Sequence, residues 1–142
     1  MMVSTKGRYA LRVMIDLAEN NTGEYIPLKD IAERQEISKK YLESIMTLLS
    51  KSGLITALHG KGGGYKLNRS PSDYSVGSIL KVTEKTLAPV SCLECEPNTC
   101  PRASSCKTLP MWTQLNTMVD SFLEGISIED LIREEDVGDY VI

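Results

Sequence analysis

The sequence predicts a mainly α-helical fold with one small β-hairpin. Two short helices, over residues 28–34 and 39–51, are separated by a tight turn, and two strand-like segments with consecutive glycines between them follow directly. A longer helix with an apolar stripe is predicted over residues 107–124. Two helices, a tight turn and a hairpin in this order form a winged helix-turn-helix, which is a DNA-binding arrangement.

The helix predicted over residues 39–51 has one apolar and one polar face. Ser38 is a good N-cap, because its hydroxyl accepts from the free N–H groups of the first turn, and Gly53 ends the helix. The apolar stripe, spaced i, i+3, i+4, i+7, consists of Leu42, Ile45, Met46 and Leu49. The opposite face carries side chains that can reach base edges or phosphates, namely Lys39, Lys40, Glu43, Thr47 and Ser50. Its cationic start and the hairpin behind it favour DNA recognition over an ordinary helical hairpin.

The glycine-rich tip lies between strand-like residues 54–57 and 65–67. A phosphate-binding loop is excluded, because no Gly-Lys-Ser/Thr sequence ends the segment and it connects strand to strand instead of strand to helix. Glycines allow positive φ and close backbone approach, so this tip, with His59 and Lys61, suits a minor groove or a phosphate backbone. His59 is the one histidine of the chain, and we expect it to contact DNA or lie on the surface rather than bind a metal.

The first helix is predicted over residues 6–19, capped by Ser4 or Thr5. An ordinary core helix explains its apolar side, which consists of Tyr9, Ala10, Val13, Met14, Leu17 and Ala18. Polar groups near its start are candidates for phosphate contact, since helix N-termini often hold phosphates. The complete set of candidate DNA-contacting residues is Ser4, Lys6, Arg8, Tyr9, Lys29, Ser38, Lys39, Lys40, Tyr41, Glu43, His59, Gly60, Lys61, Gly62 and Gly63.

Length and composition fit one ordinary domain, or a small domain with an appendage: the chain has 142 residues, of which 42% are hydrophobic. We find neither a signal peptide nor an apolar run that could cross a bilayer, so we expect a cytoplasmic protein with no membrane partner. The net charge of −3 conceals an asymmetry, because residues 1–85 carry +4 and residues 86–142 carry −7. A basic front half is typical of a DNA-contacting domain.

Four segments resemble the Rrf family of bacterial winged-helix repressors, and in particular its IscR-like, cluster-binding branch. They are STKGRYALRVMIDLA, SKKYLESIMTLLSKSGLI, HGKGGGYKLNR and SVGSILKVTE, and the resemblance covers about residues 1–125. It implies a homodimer on a palindromic operator in double-stranded DNA. It also implies base contacts from Ser38, Lys40 and Glu43, with the wing near His59 in the minor groove. Family wings often carry Arg and Pro where this chain has His59 and Lys61.

The helix predicted over residues 107–124 carries its apolar stripe on Trp112, Leu115, Met118, Val119, Phe122 and Leu123. The sequence alone allows this stripe to pack either on the winged domain or on a partner, and the resemblance implies pairing in the dimer. Ser127 is predicted to cap a short helix over residues 128–133, before an acidic tail that we expect to be mobile. The predicted parts are a winged domain over 1–85, a cysteine-rich loop over 86–108, and a dimerisation helix with the tail over 109–142.

Four cysteines lie close together, in the order Cys92-x2-Cys95-x4-Cys100-x5-Cys106. In a reducing compartment, this density indicates a metal or redox site rather than structural disulfides. Thiolates suit both iron–sulfur clusters and zinc, and the spacing alone favours neither strongly. A thiol switch and inert cysteines are further alternatives.

The family resemblance implies that this loop holds an iron–sulfur cluster, of the 2Fe–2S rather than the 4Fe–4S type. Cys100 and Cys106 match the spacing of the last two family ligands, and Cys92 fits the first position. Leu109 stands where the family often has its fourth ligand, and leucine cannot ligate. The fourth ligand is therefore expected from Cys95, Glu94, Glu96 or the other subunit.

The predicted function is a transcriptional repressor whose operator affinity depends on the cluster. A thiol- or partner-protein-controlled repressor of cysteine or sulfur metabolism is the alternative, although that branch typically lacks so dense a cysteine loop. An iron–sulfur carrier would leave residues 27–67 without a purpose. No enzyme is expected, because the single histidine has no obvious nucleophile or carboxylate partner.

Overall fold

The computed structural model describes residues 3–95 and 97–133. This part of the chain is mainly helical with a two-stranded antiparallel sheet, as the sequence predicts. The elements are α1 Thr5–Glu19, α2 Leu28–Gln35, α3 Lys39–Lys51, β1 Ile55–Leu58, β2 Gly64–Leu67, α4 Val76–Thr83, α5 Leu109–Glu124 and α6 Ile128–Ile132. The predicted acidic tail lies outside the described residues.

Helix α1 lies at the centre of the hydrophobic core. Its helical spacing places Ala10, Val13, Met14 and Leu17 on one face, where each side chain is at most 1% exposed. Helix α1 packs against α2, α3, α4, α6 and β2. Burial of each large apolar side chain stabilises the fold by about 1.5–3 kcal/mol. The other fully buried apolar side chains include Ile31, Leu42, Ile45, Met46, Leu49, Tyr74, Ile79 and Ile128.

Most predicted boundaries are confirmed to within one residue. Helix α3 begins and ends as predicted, whereas α2 continues through Gln35, β1 is displaced by one residue and β2 begins one residue earlier than predicted. The largest difference is at α5, which begins at Leu109 instead of residue 107. Pro110 lies in its first turn, which tolerates proline because the first N–H groups of a helix have no partner within it.

The hairpin is attached to the helices at two places. Tyr65 on β2 exchanges backbone hydrogen bonds of 2.8 and 2.9 Å with Ile26, which precedes α2. The hydroxyl of the fully buried Tyr74 donates to the carbonyl oxygen of Leu54, at 2.8 Å, just before β1. These bonds hold the wing beside the helix-turn-helix.

After α5 the chain returns to the winged part. The N–H of Val76 donates to the carbonyl oxygen of Ile126 at 2.8 Å, and the N–H of Ile128 donates to that of Tyr74 at 2.9 Å. Ile128 is fully buried, so α6 packs against α1 and contributes to the hydrophobic core. The division at residues 85 and 108 stays a prediction, but this packing ties the end of the described chain to the first part. None of the described helices is long and apolar enough to span a membrane.

Candidate nucleic-acid interface and cysteine loop

Helix α3 keeps its apolar and polar residues on separate sides. The hydroxyl of Ser38 accepts from the N–H of Tyr41 at 3.2 Å and so caps the helix, as predicted. The four residues of the predicted apolar stripe are fully buried. The opposite side exposes Ser38, Lys39, Lys40, Tyr41, Glu43 and Thr47, whereas Ser50 is half-buried. The start of α3 therefore presents its polar groups to solvent.

An aromatic contact joins α1 to the start of α3. The rings of Tyr9 and Tyr41 meet edge to face, with centroids 5.8 Å apart. The guanidinium of Arg12 lies 5.0 Å from the centroid of the Tyr9 ring and donates to Gln35, the last residue of α2. Neither Arg12 nor Gln35 is among the sequence-predicted site residues; they connect α1 to α2, and the contact between Tyr9 and Tyr41 connects α1 to α3.

A buried carboxylate fixes the end of α2 against α1. Asp16 is 1% exposed and accepts from Arg34 Nε and Nη2 at 3.0 and 2.8 Å and from Gln35 Nε2 at 2.9 Å. The hydrogen bond to Asp16 raises the pKa of the Arg34 guanidinium. Glu36, which follows, adopts a left-handed conformation with φ of 55° and starts the turn into α3. The sequence carried a signal for this network, because Asp16 lies three residues after Val13 on the apolar side of the helix.

The wing tip exposes His59, Gly60, Lys61 and Gly62, but Gly63 is half-buried. A Cβ atom on Gly63 would lie 2.2 Å from the carbonyl oxygen of Leu58, so only glycine fits there. The N–H of Gly63 donates to the carbonyl oxygen of Gly60 at 3.0 Å and closes the turn. In this conformation Gly63 shapes the wing, and the other four residues are accessible to a ligand.

The wing and α3 bring polar groups close to each other. The pKa of Tyr65 on β2 is raised, first by burial and second by the negative charge of Glu43 on α3. The Glu43 carboxylate therefore lies near the base of the wing. Glu43 is also the one acidic residue among the candidate contacts.

The start of α1 holds an internal carboxylate. The hydroxyl of Ser4 caps α1, and both this hydroxyl and the Ser4 N–H donate to the side chain of Glu84. The Ser4 hydroxyl is thus engaged within the chain, although it was predicted to contact DNA. Lys6 is half-buried, while Arg8 and Lys29 are exposed.

The cationic candidates are not neutralised by the part of the chain that the structure describes. None of its acidic side chains lies within ion-pair distance of Arg8, Lys29, Lys39, Lys40 or Lys61. Ammonium and guanidinium groups without an ion-pair partner can neutralise phosphates and release their counterions.

The four cysteines lie on a loop with little regular structure. Cys92 lies in a 3-10 turn over Ser91–Leu93, and the other three lie on irregular backbone. All four thiols are free, with Cys95 exposed and Cys92, Cys100 and Cys106 half-buried. Hydrogen bonds from the Thr108 hydroxyl and from the N–H groups of Thr108 and Leu109 lower the pKa of the Cys106 thiol, with a smaller effect from Arg102.

The donors of this loop suit an iron–sulfur cluster or zinc, because thiolates are preferred ligands for both. However, among residues 3–95 and 97–133 no three His, Cys, Asp or Glu side chains are grouped as a metal site requires. Glu96, a predicted alternative ligand, lies outside the described residues.

An open cleft of about 530 Å³ separates the loop from α5. Cys95 and Asn98 line it on the loop side, and Thr113 lines it on the helix side. The side-chain nitrogen of Asn98 is buried and has no hydrogen-bond partner among the described residues. A buried donor without a partner within the cysteine loop fits a cluster, since cluster sulfurs accept hydrogen bonds.

Helix α5, which is 16 residues long, exposes an apolar face. Met111, Leu115, Met118 and Phe122 are 38–61% exposed and lie on one stripe. Of the predicted stripe, Trp112, Val119 and Leu123 are half-buried on the adjacent side. The sequence allowed this stripe to pack either on the winged domain or on a partner. In the structure, one side of α5 faces the chain's own helices, and the other side is uncovered.

Comparison with known proteins adds a decisive observation to this geometry. The sequence model of the Rrf2 family, described as an iron-dependent transcriptional regulator, matches residues 3–134. The chain belongs to the Rrf2 family. This membership confirms the resemblance seen in the sequence.

Rrf2 relatives match nearly the whole chain. The HTH-type transcriptional regulator IscR of Aliivibrio salmonicida is 36% identical over 137 residues, which are 96% of this chain and 80% of the relative. Among solved structures, T. potens IscR has a TM-score of 0.72 at 31% identity, covering 100% of this chain and 93% of that one. CymR, the global cysteine regulator of B. subtilis, has the same TM-score and identity, with 92% and 95% covered. These Rrf2 relatives are transcriptional regulators, so the expectation that the chain is not an enzyme is confirmed.

Proposed function

We propose that this Rrf2 protein is a cytoplasmic, homodimeric repressor that binds a palindromic operator under the control of an iron–sulfur cluster. Membership of a family of transcriptional regulators supports DNA-binding regulation. In the proposed complex, α3 enters the major groove with its N-terminal end, and the wing contacts the minor groove near His59.

The exposed side of α3 is the observation that carries the proposal. Its first turn combines a capped N-terminus with Lys39 and Lys40, which have no ion-pair partner among the described residues. Lys40 is the proposed donor to guanine O6 and N7, and Glu43 the proposed acceptor from a cytosine amino group. Lys39, Tyr41, Arg8 and Lys29 are the proposed phosphate contacts, and Lys61 extends them along the wing.

A second copy of the chain is the proposed partner of α5. Four large apolar side chains on one stripe are expensive to leave in water, and such a face marks an interaction surface. The stripe is continuous along the helix, so two α5 helices can pair along it. A dimer of this kind supplies the two recognition helices that a palindrome requires.

The proposed ligands of the cluster, of the 2Fe–2S type, are Cys92, Cys100 and Cys106, with Cys95 as the fourth. The cluster supplies a group whose charge and presence depend on redox conditions. The protein contributes the thiolates and the connection between loop and helix, because Cys106 precedes α5 by only three residues. Closure of the loop therefore acts directly on the start of α5.

Thiol control without a cluster is the second candidate. Two observations favour it: the four thiols are free and not grouped for a metal among the described residues, and CymR is among the similar structures. In that case, oxidation of the exposed Cys95 would be the regulatory event. Metal analysis separates this candidate from the first.

The DNA-binding part is tested by selecting binding sites from random duplexes with the full chain and its variants. We expect Lys40→Ala and Glu43→Ala to change the selected sequence, by about 1–3 kcal/mol at the affected base pair. We expect Lys61→Ala to weaken binding to all sequences equally and to reduce the salt slope by about one.

Lys107→Ala is the matched control, since it removes an exposed lysine from the cysteine loop and should leave the selected sequence unchanged. If Lys40→Ala, Glu43→Ala and Lys61→Ala all weaken every DNA equally, the assignment of base readers is wrong.

A further inference from the structure

The described hydrogen bonds and ion pairs between α5 and the winged part lie near its C-terminal end. None of its residues is fully buried, and Trp112, Val119 and Leu123 are half-buried, so apolar packing constrains its direction less than it does for the core helices. Directly behind it, Ile126 accepts from the N–H of Val76, and Ser127 pairs with Ser75. The opposite end of α5 begins three residues after Cys106 and borders the open cleft beside the irregular loop. The C-terminal end of α5 is therefore held against the winged part, and the orientation of the rest of the helix depends on the contacts at that end.

A polar cluster, here named the α4–α5 clamp, surrounds that fixed end and consists of Ser75, Lys81, Asp120 and Glu124. Glu124 Oε2 accepts from the Ser75 hydroxyl, and Glu124 Oε1 accepts from Lys81 Nζ, each at 2.9 Å. Lys81 Nζ also lies 2.7 Å from Asp120 Oδ1. One carboxylate thus contacts both the residue that caps α4 and the lysine near its end.

Gly77 makes this approach possible. A Cβ atom on Gly77 would lie only 2.4 Å from Glu124 Oε1 and 2.8 Å from its carboxyl carbon. Any larger residue at position 77 would displace the Glu124 side chain, while the charges of the clamp would be retained.

We propose that the α4–α5 clamp is the pivot that sets the angle of α5 to the winged part and thereby the spacing between half-sites that a dimer accepts. This inference rests on the proposed function, in which α5 pairs with a second copy. Helix α5 is about 24 Å long at 1.5 Å per residue. A tilt of about 10° displaces its far end by about 4 Å, which is close to the rise of one base pair, about 3.4 Å. A small change at the clamp therefore alters the operator spacing that the dimer can span.

The test measures the affinity of the full chain for operators whose half-sites are separated by the selected spacer and by one or two base pairs more or fewer. We expect the wild type to prefer one spacer by about tenfold. Glu124→Gln and Gly77→Ala should reduce this preference to about threefold or less, or shift it by one base pair. Sequence preference within a half-site should not change, because α3 is untouched. Glu129→Gln, an exposed acid on α6, is the matched control and should retain the wild-type profile.

Gly77→Ala provides the independent variant if Glu124→Gln unfolds, which thermal unfolding on the same samples would reveal. The wild-type spacer profile in folded Gly77→Ala would overturn the pivot. A wild type that binds single half-sites as tightly as paired ones, or binds no DNA, would instead overturn the proposed dimeric repressor and the pivot that rests on it.

Discussion

The winged part and α5 use apolar side chains in opposite ways. Met46 on α3 is fully buried, whereas Met118 on α5 is 61% exposed, although both lie on regular amphipathic helices. The winged part completes its core within the described chain, and most of its exposed residues are polar, although Leu58 on β1 is 46% exposed. Helix α5 leaves its core-like residues uncovered. The apolar core of the winged part is complete within the described chain. The apolar stripe of α5 is exposed, and we propose that a second copy of the chain covers it and that a cluster is held in the adjacent cysteine loop.

The largest expected effect is on assembly. The double substitution Met118→Glu and Phe122→Glu places two charges on the exposed stripe, where pairing would desolvate them. We expect the association free energy to become less favourable by about 4 kcal/mol, which raises the dimer dissociation constant roughly 1000-fold. Analytical ultracentrifugation measures this constant directly.

Thr117→Glu is the control for that prediction, because Thr117 is exposed on a different side of α5 and should not affect assembly. A double variant that remains as dimeric as the wild type would remove α5 from the interface.

The next effect contrasts the two regions directly. Met46→Ala should lower the free energy of unfolding by about 3 kcal/mol, since it leaves a cavity in a packed core. Met111→Ala, at a position 53% exposed, should change it by no more than about 0.5 kcal/mol. Urea unfolding of both substitutions, made in the monomeric double variant, separates them from assembly. Equal losses would show that α5 is as well packed as the winged part.

A smaller effect is expected where the winged part buries a charge. Asp16→Asn weakens the pair with Arg34 and leaves one acceptor fewer for its guanidinium. We expect a loss of about 2 kcal/mol, below the usual cost of breaking a buried pair because Arg34 is 39% exposed. We also expect weaker binding to every operator, because this network holds the turn before α3. Urea unfolding and DNA titration measure the two effects, and unchanged stability would exclude a structural role for Asp16.

The smallest effect concerns pH at the α4–α5 clamp. Hydrogen bonds from Lys81 and then from Ser75 lower the pKa of Glu124. The ionised Glu124 carboxylate therefore stabilises the fold at pH values above the ordinary glutamate pKa. This stabilisation is lost as the pH falls through the lowered pKa of Glu124. Glu124→Gln removes this contribution, so its thermal midpoint should differ from the wild-type value more at pH 6 than at pH 3. An equal difference at both pH values would show that Glu124 carries no charge-dependent bond.

The two regions also differ in how far sequence predicts them. The bounds of α3 follow from local signals, namely the Ser38 cap, the apolar spacing and Gly53, so they could be predicted without tertiary knowledge. The Asp16 network and the α4–α5 clamp depend on which helices pack together. Nothing local to Lys81 or Glu124 indicates that they meet across 43 residues.

Among the candidate site residues, the sequence predicted exposure well on α3 and less well elsewhere. Lys39, Lys40 and Glu43 are exposed because the apolar stripe fixes the rotation of α3. Ser4 is engaged with Glu84, a long-range contact with no pattern in the sequence. The density of cysteines in the sequence indicates a metal or redox site, but their arrangement in space has no local signal, because an irregular loop has no periodicity.

The central claim is that a cluster in the cysteine loop, next to α5, controls DNA binding by the winged part, and it is tested most directly by one set of measurements on the same sample. The protein is purified without oxygen, its absorbance between about 300 and 450 nm is recorded, and iron, sulfide and zinc are measured on the same sample. Operator affinity is then determined before and after the metal is removed. We predict stoichiometric iron and sulfide and an affinity that changes at least tenfold on removal. A colourless, metal-free protein, or an affinity that does not change, would contradict the account.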